Sequence, residues 1–424
     1  MQIVSAAEAV AGVRSGQSVF MHGGAATPHT LLAALVARAR ELRHVTLVHL
    51  HAEGPAPHLA PEMAPHFRHH ALFIGGQARQ AIAEGRAEYI PVFLSDIPRL
   101  FARGIIPLDV ALLNVSAPDA HGFCSLGASV DISLQAARSA KMVVAQLNRS
   151  VPRTHGDAYI SLEDIDFAVE VDEPPVTVKL PDPTPAEVAI AGHVAGLVED
   201  GATLQLGIGS IPAAVASLLR GKRDLGIHTE MFTDAVVDLV ERGVITGARK
   251  EINRGKIVSA FAMGTQRLYK FLHDNPQIEM RPTDYTNDTA VIRRFRRMVA
   301  LNSAIEVDLT GQVCADSIGP RLYSGVGGQM DFIRGAALAE EGRAIIALPS
   351  TAQDGKLSRI VATLHPGAGV VTTRAHVQTI VTEHGVAELH GKSIAQRAHA
   401  LIGLAAPQFR EQLEIDARKL RFVG

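Results

Sequence analysis

Tryptophan is absent from this sequence and aromatic residues make up only 4% of it, which weighs only slightly against a pocket built for a large aromatic acid. Cysteine occurs twice, at Cys124 and Cys314, far apart and without Cys-x-x-Cys spacing. That excludes a disulfide framework or a cysteine-based zinc module, and a reducing compartment follows as the default. Charge of one sign is lacking too: 41 Lys and Arg stand against 43 Asp and Glu, a formal net charge of -2. Nucleic acid or an anionic membrane held by a general basic surface is therefore not an expected partner. A local basic pocket for a phosphorylated ligand stays open. No apolar run approaches the ~20 residues of a transmembrane helix. Met1 to Glu8 lacks the basic region ahead of an apolar one that marks a signal peptide. The expectation is a cytoplasmic protein.

What is present is 424 residues, 47% hydrophobic and 20% charged, enough for two sizeable cores. Two segments about 185 positions apart share one pattern. Ser5-Ala-Ala-Glu8 leads to Gly16, then to Gln17-Ser-Val-Phe-Met21-His-Gly-Gly24; Thr184-Pro-Ala-Glu187 leads to Gly201, then to Ala202-Thr-Leu-Gln-Leu206-Gly-Ile-Gly209. Each opens with a capping box, in which Ser or Thr is followed three residues later by Glu. Gly16 and Gly201 fit the end of that helix. An apolar strand, a glycine loop and a second helix follow; Ile211, Ala214, Val215, Leu218 and Leu219 recur at helical spacing. Five prolines between 171 and 185 mark an extended connection. The runs Leu108–Val115, Met142–Leu147, Ile257–Met263, Ala344–Leu348 and Gly369–Thr372 read as buried strands. The fold class is α/β: two similar open α/β/α domains with mainly parallel sheets, residues 1–175 and 185–424, related by an internal repeat.

Several segments carry the chemistry. Gly207-Ile208-Gly209-Ser210-Ile211-Pro212 follows a strand and starts a helix, a place where free backbone N–H groups receive an anion. It lacks the third glycine of a dinucleotide fingerprint, and a tight structural turn reads the same way. The Ser324 to Phe332 segment packs Gly325, Val326, Gly327 and Gly328 together, allowing close backbone approach to a ligand, as flexible surface loops also do. Gly391-Lys-Ser393 misses phosphate-loop spacing, and Ser393 with Gln396 instead makes a capping box for the last helix. His66, His69 and His70 lack partners at ligand spacing, so no metal site is expected. Leu225 to His228 reads as a short strand with Glu230 at its carboxyl end, among apolar neighbours. Such a carboxylate serves as base, metal ligand or nucleophile, or simply as a helix cap or ion pair. Asn302 precedes an alternating segment from Ala304 and fits either a donor to a substrate carbonyl or a turn residue.

Together these segments resemble the acetyl-CoA hydrolase/transferase family of class I coenzyme A transferases, nearest its 4-hydroxybutyrate and butyrate branch. The likeness extends through Ala117 to Gly127, Asn148 to Asp157, Gly207 to Gly209, Gly226 to Phe232 and Asn302 to Asp308. It continues through Ser324 to Phe332, Pro349 to Ala352, Lys356 to Ile360 and Val381 to Ala387. It implies Glu230 as the catalytic glutamate, with Asn302 and the two glycine loops as oxyanion and coenzyme contacts. Lys356 and Arg359 are the candidate phosphate contacts, though ordinary surface or ion-paired roles fit them equally. Departures are His384, where several relatives have Tyr, and Ala235, where a Gly follows the Asp matching Asp234. The activity implied is transfer of CoA between acetate, butyrate or 4-hydroxybutyrate through a glutamyl-CoA thioester. Two alternatives stand beside it: an acyl-CoA hydrolase, and a CoA-ester-binding protein without turnover. Coenzyme A enters as co-substrate, with no permanent cofactor and no metal, and a homodimer is implied.

Overall fold

A computed structural model describes residues 1–179, 181–207 and 209–424. The chain divides into two units: Met1–Lys179, Met231–Asp234 and Val258–Thr286 form the first, and the remainder forms the second. The division is therefore not linear, because two later segments return to the first unit.

The first unit holds β1 (Gln2–Ile3), β2 (Ser18–Met21), β3 (Val45–His49), β4 (Phe67–Ala71), β5 (Glu88–Tyr89), β6 (Val110–Ser116), β7 (Met142–Asn148) and β8 (Phe167–Val171). They form one sheet in the order β1-β8-β7-β6-β2-β3-β4-β5, parallel throughout. The second unit holds β9 (Thr203–Leu206), β10 (Gly226–Phe232, as far as Glu230), β11 (Met298–Ser303), β12 (Arg343–Ala347), β13 (Thr379–Thr382) and β14 (Gly385–Glu388). Their order is β14-β13-β12-β11-β9-β10, and only the β13–β14 pair is antiparallel. Five strands in each unit follow one topology, with β8-β7-β6-β2-β3 matching β13-β12-β11-β9-β10. All four residues of β9 are buried, as expected of a strand covered on both faces.

Both capping boxes form. Ser5 caps α1 (Ala6–Ala9) and Thr184 caps α3 (Pro185–Leu197), with Glu8 and Glu187 returning to the cap backbone. Each cap of this kind is worth about 1 kcal/mol. Gly16 and Gly201 do not close these helices, which stop at Ala9 and Leu197. Instead both take left-handed backbone (φ 78° and 77°) in the turn before the strand. Gly16 N–H donates to the Arg43 carbonyl and Gly201 N–H to that of Arg223, the same bond in each copy. α2 (His29–Ala37) and α4 (Ser210–Leu218) follow the glycine turns. Leu31, Leu32 and Leu35 of α2 enter the first core beside Val19, Leu47 and Leu112. On α4, Ile211 and Val215 are buried, worth about 2 kcal/mol each.

Two strand expectations are corrected. Gly369–Thr372 forms only an isolated bridge from Thr372 to Val313. Val371 and Thr372 are buried, so the apolar run reflects core packing without a ladder behind it. Asn302 lies inside β11 rather than ahead of a strand, and Glu306–Asp308 is a separate short strand in a three-stranded sheet. The Ser393 capping box starts Ile394–Leu404, but a further helix, Pro407–Lys419, follows it.

Candidate active site

Strand β10 carries Glu230 as its fifth residue, within the strand rather than beyond its end. Alternation along the strand puts His228 and Glu230 on one face. His228 is buried there against Phe295 and Phe332, with ring centroids 4.7 and 6.2 Å away. Phe332 belongs to α5 (Gln329–Leu338), whose N-cap is Gly328. The packing of His228 on Phe332 thus brings the start of α5 to the half-buried Glu230. Asn287 Nδ2 donates to Glu230 Oε2 at 2.9 Å, and the same nitrogen lies 3.3 Å from Asp331 Oδ2. Asn287 occupies the turn between two single-turn helices, Thr283–Thr286 and Thr289–Ile292, and is fully buried.

Gly328 has ordinary backbone (φ -98°) but cannot carry a side chain. A Cβ built on it would stand 1.8 Å from Glu230 Oε2 and 2.1 Å from Asn287 Nδ2. Glycine is required here by contact with the carboxylate. Gly327 takes left-handed backbone (φ 55°), Gly325 is buried and Val326 is half-buried.

The other glycine loop follows β9. Gly207 N–H donates to the Leu301 carbonyl at 3.3 Å, Gly209 takes φ 119° as the N-cap of α4, and Ile208 lies outside the described residues. Beside the loop is a small open pocket of ≈180 Å³ lined by Gly209, Ser210, Ile211, Ser303, Pro349 and Arg359, among others. It sits where the strand order reverses, beyond the carboxyl ends of β9 and β11, the usual ligand crevice of such sheets. The Ser210 hydroxyl donates to Glu187. Burial pushes the Glu187 carboxyl up, but hydrogen bonds from Ser210 and Thr184 outweigh it and leave it below the ordinary value. Burial draws the Arg359 guanidinium down, opposed by Tyr323, Glu187 and Glu383. Its Nε is buried without a partner among the described residues.

Asn302 Nδ2 donates to Gln205 Oε1 at 3.1 Å, on the strand between its own and that of Glu230. Lys356 is exposed in a tight turn between Thr351–Ala352 and Leu357–Ser358. Glu383, beside His384, accepts from the Ser350 N–H at 2.8 Å and hydroxyl at 2.6 Å. The structure thus brings Gly328 to Glu230, and Ser210 and Ile211 to the pocket with Arg359. Asn287 and Asp331 escaped the sequence reading. Asn287 looks like any turn residue, and only the acid placed three residues after Gly328 hinted at Asp331. Among the described residues no His, Cys, Asp and Glu cluster suits a metal ion, and no helix is long and apolar enough to cross a membrane.

This arrangement has named relatives. The acetyl-CoA hydrolase/transferase N-terminal domain matches residues 1–179 and the C-terminal domain of the same family matches residues 264–417. A 4-hydroxybutyrate coenzyme A transferase of Clostridium kluyveri is 47% identical over 418 residues, covering 99% of this chain and 97% of that one. A succinyl-CoA:acetate/propanoyl-CoA:succinate CoA transferase of Fasciola hepatica is 48% identical, covering 95% and 84%. The crystal structure of RipA from Yersinia pestis superposes with a TM-score of 0.93 at 36% identity, over 100% of this chain and 98% of that one. The chain belongs to the acetyl-CoA hydrolase/transferase family.

Proposed function

We propose that the protein is an acyl-CoA:carboxylate CoA-transferase in which Glu230 is the covalent nucleophile. The observation that carries the reading is the half-buried Glu230 carboxylate, gripped by the Asn287 amide and faced by the side-chain-free Gly328. A carboxylate attacks a thioester readily when it is held in place and water is kept away. Glu230 attacks the acyl carbon of acyl-CoA, forming an acyl-glutamyl anhydride and releasing CoA thiolate. The thiolate attacks the glutamyl carbonyl of the anhydride, which gives glutamyl-CoA and frees the carboxylate product. An incoming acid attacks glutamyl-CoA to form a new anhydride and thiolate. Thiolate attack on the new acyl carbon then yields the new acyl-CoA and regenerates Glu230. Each tetrahedral intermediate needs an oxyanion donor, for which Asn302 and the glycine-loop N–H groups are the candidates.

The substrates proposed are short-chain acids, with acetate, butyrate and 4-hydroxybutyrate first; 4-hydroxybutyrate and acetate stand in the names of the two transferases above. A homodimer in the cytoplasm belongs to the same reading, and light scattering on the purified protein checks the assembly. The function is tested with acetyl-CoA, with and without butyrate or 4-hydroxybutyrate, following the new acyl-CoA and free thiol together. Formation of the new ester with little free thiol is the expected result. Thiol release that ignores the acid would mean hydrolysis, and the transferase reading would fall.

A further inference from the structure

Asp331 is a buried carboxylate that the chemistry above leaves unused. It is the third residue of α5 and only 5% exposed, in the first turn, where a helix N-terminus favours negative charge. Asn287 Nδ2 lies 3.3 Å from its Oδ2 and 2.9 Å from Glu230 Oε2, so one amide nitrogen ties two carboxylates together. An ionised carboxylate only accepts hydrogen bonds, whereas an amide has a donating and an accepting end. With Asp331 in place, a flipped Asn287 would set its carbonyl oxygen against two anionic oxygens.

We propose that Asp331 is a positioning residue that fixes the Asn287 amide with its nitrogen toward Glu230 throughout turnover. The inference rests on Glu230 as the nucleophile. Once acylated or converted to a thioester, Glu230 carries no charge and holds the amide only weakly. Asp331 keeps its charge through those stages, so the N–H stays aimed at the glutamyl oxygen when negative charge develops there. Asp331 acts on the reaction through Asn287.

A double-mutant cycle tests this, using the donor and acceptor that the wild-type protein turns over in the assay above. Asp331→Asn should lower kcat roughly 10-fold or more, with KM for the acyl-CoA changed by no more than about threefold. In an Asn287→Ala background the same change should cost no more than about twofold, because the group it acts through is gone. Equal losses in both backgrounds, an unchanged kcat in Asp331→Asn, or full activity of Asn287→Ala would each overturn the proposal. If thermal melting shows Asp331→Asn to be unfolded, Asp331→Ser carries the same cycle under the same criterion. Glu230→Gln is assayed alongside. Full transfer by that variant overturns the nucleophile assignment and this proposal together, whereas an inactive Glu230→Gln beside additive losses overturns the positioning alone.

Discussion

The two units share a strand order and differ in what stands at the strand ends. Ser18 at the start of β2 pairs with Thr46, and Thr203 at the start of β9 pairs with Gly226. Counting four residues onward from each partner reaches Leu50 in the first unit and Glu230 in the second. Leu50 is 6% exposed and simply packs. The glycine turns differ in the same sense. Gly24 and Gly209 both take positive φ, 57° and 119°, but two residues earlier stand His22 and Gly207 respectively. His22 is fully buried, its Nε2 2.6 Å from the Ser129 carbonyl and its Nδ1 accepting the Asn114 N–H at 3.2 Å. That imidazole is saturated and fills the end of its strand. Where Gly207 stands there is no side chain, and the second unit keeps a pocket beside that loop. Duplication supplies a frame twice, while chemistry needs an acid on one strand and an unfilled end on the next.

The sharpest break of this comparison is at Glu230. Glu230→Gln should lower CoA transfer by more than roughly 10³-fold, since it removes the proposed nucleophile, while acyl-CoA binding survives. Leu50→Glu in that background should restore nothing, and recovery there would mean the first unit carries a working site. Gly328→Ala comes next. The methyl would collide with the carboxylate and the Asn287 amide, so kcat should fall roughly 10²-fold, as when an enzyme loses a transition-state contact. Its backbone suits any residue, so the melting temperature should move little. A large loss of stability with kcat intact per folded molecule would make Gly328 a packing glycine only.

The frame was more legible in the sequence than the site, for a physical reason. Capping boxes, glycine turns and buried apolar runs are local, and Ser5, Thr184, Gly209 and most strands fall where those signals put them. Gly369–Thr372 fails because burial alone makes a run apolar, whether or not a neighbour supplies a ladder. Glu230 stood out as an acid among apolar residues, and the Gly325 to Gly328 run stood out by composition. Their mutual contact did not, because it depends on His228 seating Phe332. Asn287 was illegible: its partner lies 57 positions away, and no spacing rule links a turn residue to a strand.

The first unit also differs by burying three imidazoles together, His49, His58 and His69. His49 Nε2 meets His69 Nε2, and His58 stacks on His69 at 5.2 Å between ring centroids. Burial lowers His49 to about 3, helped by His58 and His51, and lowers His58 to about 4. Burial also takes His69 well below its usual value, with His49, His58 and His70 adding to the effect. An unfolded chain protonates all three near 6.5, which the folded unit resists. Stability is therefore undiminished above pH 6.5 and is lost as pH falls below it, down to about 4 for His58 and about 3 for His49, at about 2 kcal/mol for each of these two imidazoles by pH 5. Melting temperature should drop between pH 7.5 and 5, with hydrogen exchange rising first over residues 45–71. His58→Leu should make the decline shallower. A melting temperature flat over that range would contradict the assignment.

The smallest effect belongs to Lys356. It is exposed, so any attraction to the phosphates of coenzyme A acts through water and is screened by salt. Lys356→Ala should raise KM for acyl-CoA by roughly threefold at low ionic strength, and the gap from wild type should close at high salt. The half-buried Arg359 should respond differently: lying beside the glycine loop, its loss should raise KM at both salt levels. Lys141 of the first unit, exposed and paired with Asp109 at 2.8 Å, is the matched control, and Lys141→Ala should leave KM unchanged. Equal, salt-sensitive shifts at Lys356 and Lys141 would mean that the whole surface attracts the coenzyme rather than the second unit. A Lys356→Ala shift that ignores salt would mean the side chain acts by packing, and the phosphate contact would pass to Arg359 alone.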